Sequence, residues 1–320
     1  MRSTECTPRA RIVALGGYQP PSEASNHGRT PMVNADVEWT CDWSGIASRG
    51  TRAAVETVAD MAVAAGAKAL AAGGLAPADI DLVIVATSTA ETATPNVSAT
   101  VAARLGMSAP GAFDINHACA GFSYALDAAS GAVRAGTARH ALVIGAEKYS
   151  RGNDWPDRAT DGIFADGAGA AVVGPAAGDT ASAIGPVIWG SDATVADKVH
   201  AGEGGPCLPQ EGQAVFRLGT TLPAAVRRAC AATGIAPTEL AAIAAHHADL
   251  RVIKSIGAAI GAPQAKVAID FVRAGNAAAL SSPLALTAMT DHGAIPSGAP
   301  ALLLEFGARL CYAAQVITTP

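Results

Sequence analysis

The sequence predicts an α/β protein with a layered αβαβα architecture, built from two duplicated halves whose mixed sheets are covered by helices. Three observations support this. The chain is 320 residues long, half of them hydrophobic and only 15% charged, so a large buried interior can form. Apolar strand-like runs alternate with Ala-rich helical stretches, the pattern of sheets buried on both faces. One whole unit also recurs at an offset of 160 residues, half the chain length: GLAPADIDLVIVATS from Gly74 is answered by GIAPTELAAIAAHHA from Gly234.

Each element follows in order. RIVALGG, from Arg11, reads as the first strand. TVADMAVAAGAKALAAG reads as a helix ending on a glycine cap. A Pro-containing turn, a short acidic helix start and the buried strand DLVIVA come next. Ala112 to Ile115 form a strand running into the helical segment CAGFSYALDAASGAVRAG, and HALVIGAE returns as a strand. In the second half TLPAAVRRACAATG repeats the helix, Gly234 its cap, and KVAIDFV is a strand ahead of a small-residue stretch from Gly275. We divide the chain into residues 1–175 and 176–320. Aromatics are only 4%, so the core consists of small residues and its layers pack closely.

A net charge of −5 with no run of like charges argues against a nucleic-acid partner. The opening MRSTECTPRARIVALGG has no apolar signal stretch, and runs such as DLVIVA are too short to span a bilayer. The expectation is a soluble, cytoplasmic protein without membrane contact. Cys6, Cys41, Cys119, Cys207, Cys230 and Cys311 show no CxxC pair or regular spacing, so neither a metal site nor a disulfide framework is expected.

Cys119 is the candidate nucleophile. It follows an apolar strand and a turn, and Phe122, Leu126 and Ala129 recur after it at helical spacing. A thiol at a helix N-terminus faces unpaired N–H groups and the positive end of the dipole, which favour the thiolate. Ala118, Ala120 and Gly121 leave room for an incoming thioester. The segment alone fits a buried cysteine at a tight strand–helix junction better than a nucleophile, so the decision rests on partners elsewhere. His246 and His247 directly follow a buried strand, and Asn276 follows Gly275 at the start of a small-residue segment. Cys119, His246 and Asn276 thus form a candidate Cys–His–Asn constellation suited to acyl-thioester chemistry.

Taken together these segments resemble the ketoacyl-acyl-carrier-protein synthase III family. DINHACAGFSYAL is similar to its nucleophile segment, IFADGAGAAVVG to its F-G-D-G-A-G-A run, HHADLRV to H-Q-A-N-x-R-I, and GNAAALSSPLAL to G-N-T-S-A-A-S-x-P-x-A-L. WTCDWSGIASRG also resembles a family stretch, and the likeness runs in order from Arg11 to Val316. The resemblance implies a thiolase-like fold, a homodimer, no cofactor, and acyl thioesters of coenzyme A or acyl carrier protein as substrates. It implies that Cys119 takes the acyl group and that His246 and Asn276 hydrogen-bond the thioester oxygen of a malonyl thioester during decarboxylation. The backbone N–H groups of Cys119 and Ala308 would form an oxyanion hole. Trp39 matches a tryptophan that stacks on adenine, and Arg158 an arginine near the nucleotide phosphates; a surface role fits each as well.

Four departures concern binding. Trp43 stands where the family usually has a coenzyme A-contacting arginine, and His247 and Asp249 replace the Gln and Asn of H-Q-A-N. Gly307-Ala308-Arg309 replaces three glycines, and Asn116-His117 precede the nucleophile where small or apolar residues are common. The expected chemistry is decarboxylative condensation with altered substrates, as in secondary-metabolite relatives. The rival readings are transfer of the Cys119-bound acyl group to a hydroxyl or amine and a non-catalytic partner subunit.

Overall fold

The computed structural model describes residues 9–25, 48–51, 56–150, 165–176, 183–191, 200–202, 205–207, 212–245, 250–267, 278–307 and 311–320. Its strands are β1 (Ala10–Tyr18), β2 (Ser22–Ser25), β3 (Ser48–Thr51), β4 (Leu82–Ala86), β5 (Gly111–Ile115), β6 (Ala141–Glu147) and β7 (Gly167–Pro175). In the second half they are β8 (Ile188–Gly190), β9 (His200–Gly202), β10 (Gly205–Cys207), β11 (Ala242–Ala245), β12 (Lys266–Val267), β13 (Pro300–Phe306) and β14 (Tyr312–Thr318). The helices are α1 (Val58–Gly73), α2 (Val97–Arg104), α3 (Gly121–Arg134), α4 (Gly212–Thr233), α5 (Leu250–Ile260) and α6 (Ser281–Asp291).

The two five-stranded sheets have the same plan. The first runs β1-β7-β6-β4-β5 and the second β8-β14-β13-β11-β12. In each, the first three strands pair antiparallel and the last three parallel. Strand period sorts the layers. Ala141 and Val143 of β6 and Ala301 and Leu303 of β13 join one cluster with Phe122, Leu126 and Ala129 of α3 and Leu286 and Met289 of α6. The alternate residues, Leu142 and Ile144 on β6 and Leu302 and Leu304 on β13, face outward. They meet α1 and α2 on the first sheet and α4 and α5 on the second. The order is helix, sheet, α3 with α6, sheet, helix: the expected αβαβα stack.

The repeat read from sequence holds in detail. Thr57 caps α1 in a capping box with Asp60, its hydroxyl accepting the Asp60 N–H at 3.0 Å. Gly74 and Gly234 both take the left-handed conformation, with φ of 62° and 71°, that ends their helices. The short acidic helix starts are single 3₁₀ turns, Pro77–Asp79 and Pro237–Glu239, because each folds its acid back onto a backbone N–H. Asp79 accepts from Ala76 at 2.8 Å and Glu239 from Ala236 at 2.7 Å. Ile80 and Leu240 then turn into the core.

Phe122 is fully buried in the central layer that joins the halves. Replacing it with alanine removes a ring from the cluster that unites both sheets and should cost about 3–5 kcal/mol. Equilibrium urea unfolding should show a lowered midpoint with an unchanged slope.

Candidate active site

Cys119 sits where β5 hands over to α3. Asp114 on β5 accepts the N–H groups of Val97 and Ser98 at 2.7 and 2.8 Å, tying the strand to the start of α2. After Ile115 the chain makes a 3₁₀ turn, Ala118–Ala120, and the α-helix starts at Gly121. Ala118 has φ of 42°, a left-handed conformation that costs a residue with a Cβ about 1–2 kcal/mol. The turn leaves the Cys119 thiol half-buried at the head of a helix whose first residues are fully buried.

The same turn occurs in the second half, where Ala278–Leu280 precedes α6 and Ala278 has φ of 45°. The offset is again 160 residues, so Ala279 occupies the place of Cys119. The two turns touch each other, and each rests on the central strand of the opposite sheet. A Cβ on Gly307, just past β13, would lie 2.7 Å from the Cys119 Sγ, and one on Gly145 of β6 would lie 2.4 Å from the Ala279 carbonyl oxygen. Both strands need glycine there to let the turns in. The Gly307 N–H donates to the Cys311 carbonyl at 3.0 Å, closing the chain back beside the cysteine.

Buried polar groups lie close by. The Glu305 carboxylate accepts the Ser123 N–H at 2.9 Å and the Ser282 hydroxyl. Glu147, at the end of β6, accepts the Ser88 N–H at 3.0 Å, the Ser88 hydroxyl at 2.9 Å and the Thr89 hydroxyl at 2.6 Å. Burial pushes both carboxyls up to about 7 against the opposing pull of these donors. Tyr149 shares a hydrogen bond of 3.0 Å with the Ser88 hydroxyl. Burial drives its own ionisation far up, helped by the negative charge of Glu147 and Cys119. His117 packs edge-on against Tyr124 at 4.0 Å, and Tyr124 lies against the exposed Trp189 at 4.8 Å. Burial lowers the His117 pKa, which favours the neutral ring.

Of the residues singled out from sequence for the site, the structure describes Asn116, His117, Cys119 and Gly307. Trp39, Trp43, Arg158, His246, His247, Asp249, Asn276, Ala308 and Arg309 lie outside the described residues. Sequence reasoning missed Glu147, Tyr149 and Glu305. It also missed the second turn, for which the shared Asn116 and Asn276 at the repeat offset were a usable signal. Among the described residues no three His, Cys, Asp or Glu side chains are grouped to hold a metal, and no helix is long and apolar enough to cross a membrane.

Two half-repeats stacked in five layers, with a cysteine heading a buried central helix, define a thiolase-like protein. Comparison with known proteins narrows the class. The model of 3-oxoacyl-[acyl-carrier-protein] synthase III matches residues 113–193, and the model of its C-terminal part matches residues 230–319. The chain is 49% identical to beta-ketoacyl-[acyl-carrier-protein] synthase III 2 of Streptomyces avermitilis, covering 97% of this chain and 99% of that one. It is 48% identical, over the same shares, to synthase III 4 of Streptomyces coelicolor. A solved structure, the priming beta-ketosynthase from the R1128 polyketide biosynthetic pathway, superposes with a TM-score of 0.92 at 37% identity, covering 99% of both chains. This chain belongs to the 3-oxoacyl-[acyl-carrier-protein] synthase III family.

Two outcomes follow from the geometry. Gly307→Ala puts a methyl group against the Cys119 sulfur, so alkylation of Cys119 by iodoacetamide should slow at least about tenfold while circular dichroism stays unchanged. Glu147 keeps to about 7 in the folded chain a proton that it would release near its ordinary value of 4.5. Its contribution to stability is therefore full at low pH and lost as pH rises through that window. The melting temperature of the wild type relative to Glu147→Gln should fall across the same range and be level on either side.

Proposed function

We propose that the protein is a condensing enzyme that takes an acyl group from an acyl thioester onto Cys119 and joins it to a malonyl thioester with loss of CO2. The observation that carries this reading is the half-buried Cys119 at the head of a buried helix, in a chain of the synthase III family. In the first step the Cys119 sulfur attacks the thioester carbonyl, the carrier thiol leaves, and the proton lost from Cys119 is regained on that thiol. In the second, decarboxylation leaves an electron pair as an enolate, whose carbon attacks acyl-Cys119 and expels the thiolate. Donors aimed at the enolate oxygen lower this barrier. His246 and Asn276 are proposed for that task, neutral donors that need remove no proton. The backbone N–H groups of Cys119 and Ala308 are proposed to hold the oxyanion of the first step.

On this reading residues 1–175 supply the nucleophile and residues 176–320 the pair that activates the malonyl thioester. Trp39 and Arg158 would hold the nucleotide of coenzyme A. Trp43, His247, Asp249 and Arg309 stand where acyl donor and acceptor are selected. Acyl-coenzyme A and acyl carrier protein are the partners, with no added cofactor, in the cytoplasm. We also propose a homodimer formed through β5, an edge strand of the first sheet on which Phe113 is 40% exposed.

Purified protein should be incubated with acyl-coenzyme A, then with malonyl-carrier protein, following the intact mass and CO2 release. The wild type should gain the acyl mass on Cys119 and release CO2; Cys119→Ala should do neither. His246→Ala and Asn276→Ala should still be acylated but release CO2 about a hundredfold more slowly. Acylation without CO2, followed by transfer to a small alcohol or amine, would replace condensation with simple acyl transfer. No acylation by any thioester would leave a non-catalytic subunit.

A further inference from the structure

Glu305 is a buried carboxyl that the proposed chemistry leaves idle, and a hydrogen bond joins it to the helix that Cys119 heads. It stands on β13, two residues before the glycine against which Cys119 rests, and is fully buried. One oxygen accepts the Ser123 N–H at 2.9 Å and the other the Ser282 hydroxyl on α6. Ser123 is the third residue of α3, so its N–H is one of those a helix start leaves unsatisfied. The same terminus favours a thiolate at Cys119. The carboxyl therefore draws on the same helix end that favours the thiolate.

We propose that Glu305 is a positioning residue that governs thiolate formation at Cys119, anchoring α3 to the second half while its charge opposes that of the sulfur. This rests on Cys119 being the acyl-carrying group. The bonds to Ser123 and Ser282 fix where α3 begins relative to β13 and α6. The opposition follows from two like charges sharing a buried helix end, where each resists the ionisation of the other. Burial keeps the Glu305 carboxyl at about 7, so the opposing charge comes and goes near neutral pH. The other titratable groups around it are Cys119 in the turn before α3, Tyr124 of α3, and Cys311 and Tyr312 at the start of β14, while Cys119 itself also faces Tyr149. Burial raises the Tyr124 hydroxyl, as do Cys311, Tyr312 and Glu305. Among the described residues no cation forms an ion pair with Glu305.

The test is the rate of Cys119 alkylation by iodoacetamide in the full chain, read by peptide mass between about pH 5 and 9.5. Glu305→Gln keeps an acceptor for the Ser123 N–H and can turn the second bond round, its amide donating to the Ser282 hydroxyl, but it carries no charge. The wild type should show a broad profile, since two groups release protons against each other. Glu305→Gln should show a single narrower titration with its midpoint lower by about one unit. Ser282→Ala withdraws a donor from the carboxylate, so its charge appears later and the Cys119 profile shifts in the same direction by less. This variant decides the matter if Glu305→Gln does not fold. Profiles that superimpose on the wild type, or midpoints that rise, would overturn the proposal, because a purely structural glutamate would leave the thiol's titration where it was. Alkylation needs no acyl substrate, so failure here is distinct from failure of Cys119 to become acylated.

Discussion

The molecule depends on two left-handed alanine turns pressed into each other and into the opposite half. Ala118 and Ala278 hold φ of 42° and 45°, at a cost of about 1–2 kcal/mol each that a free chain would relieve. Such strain persists only where surroundings over-determine it. Here they do: Cys119 lies on Gly307 of the second half, and Ala279 on Gly145 of the first. The contact is reciprocal, so neither half can present its turn without the other. The buried faces of α3 and α6 between the sheets lock the arrangement.

Duplication supplied two equivalent turns, and divergence made them unequal. Ala279 is fully buried, whereas Cys119 is only half-buried. The central strands diverged with them. At the repeat offset Gly145 corresponds to Glu305 and Glu147 to Gly307, so the end of each central strand, with the residue just past β13, has one glycine and one glutamate in exchanged order. Each glycine seats a turn, and each glutamate gathers serine or threonine donors from neighbouring segments. Close packing and polar bonding are thus set side by side at the ends of the strands, where α/β proteins place their ligands.

What the sequence disclosed follows from how local each feature is. Gly74, Gly234, Pro77 and Pro237 act within a few residues of themselves, and period-2 and period-3.6 patterns mark what faces the core. Those signals were enough for the layers, the repeat and the placing of Cys119 beside a helix start. The left-handed alanines carry no such signature, since alanine favours the ordinary helix and tertiary contact imposes the exception. Glu305 was equally hidden: its donors sit on Ser123 and Ser282, and only the fold brings residues 182 apart in sequence into one bond. Glu147 depends in the same way on Ser88, 59 residues away.

The hidden groups share a physical character that bears on the chemistry. Glu147 and Glu305 are fully buried and each accepts at least two hydrogen bonds, Tyr149 is partly buried and bonded to Ser88, and loss of solvent favours the neutral form of each. A condensation moves negative charge from a carboxylate to an enolate oxygen and then to a sulfur. Fixed anions near that path would raise its barrier, whereas neutral hydroxyl and carboxyl dipoles held in networks can orient without repelling. The small-residue core makes such networks affordable in space, because layers that approach closely let short serine and threonine side chains reach across. Around Cys119, the scarcity of aromatics and the buried acids are therefore two sides of one design: close packing brings in the donors that satisfy the acids, and Glu305 ties the helix that follows the strained turn to the second half.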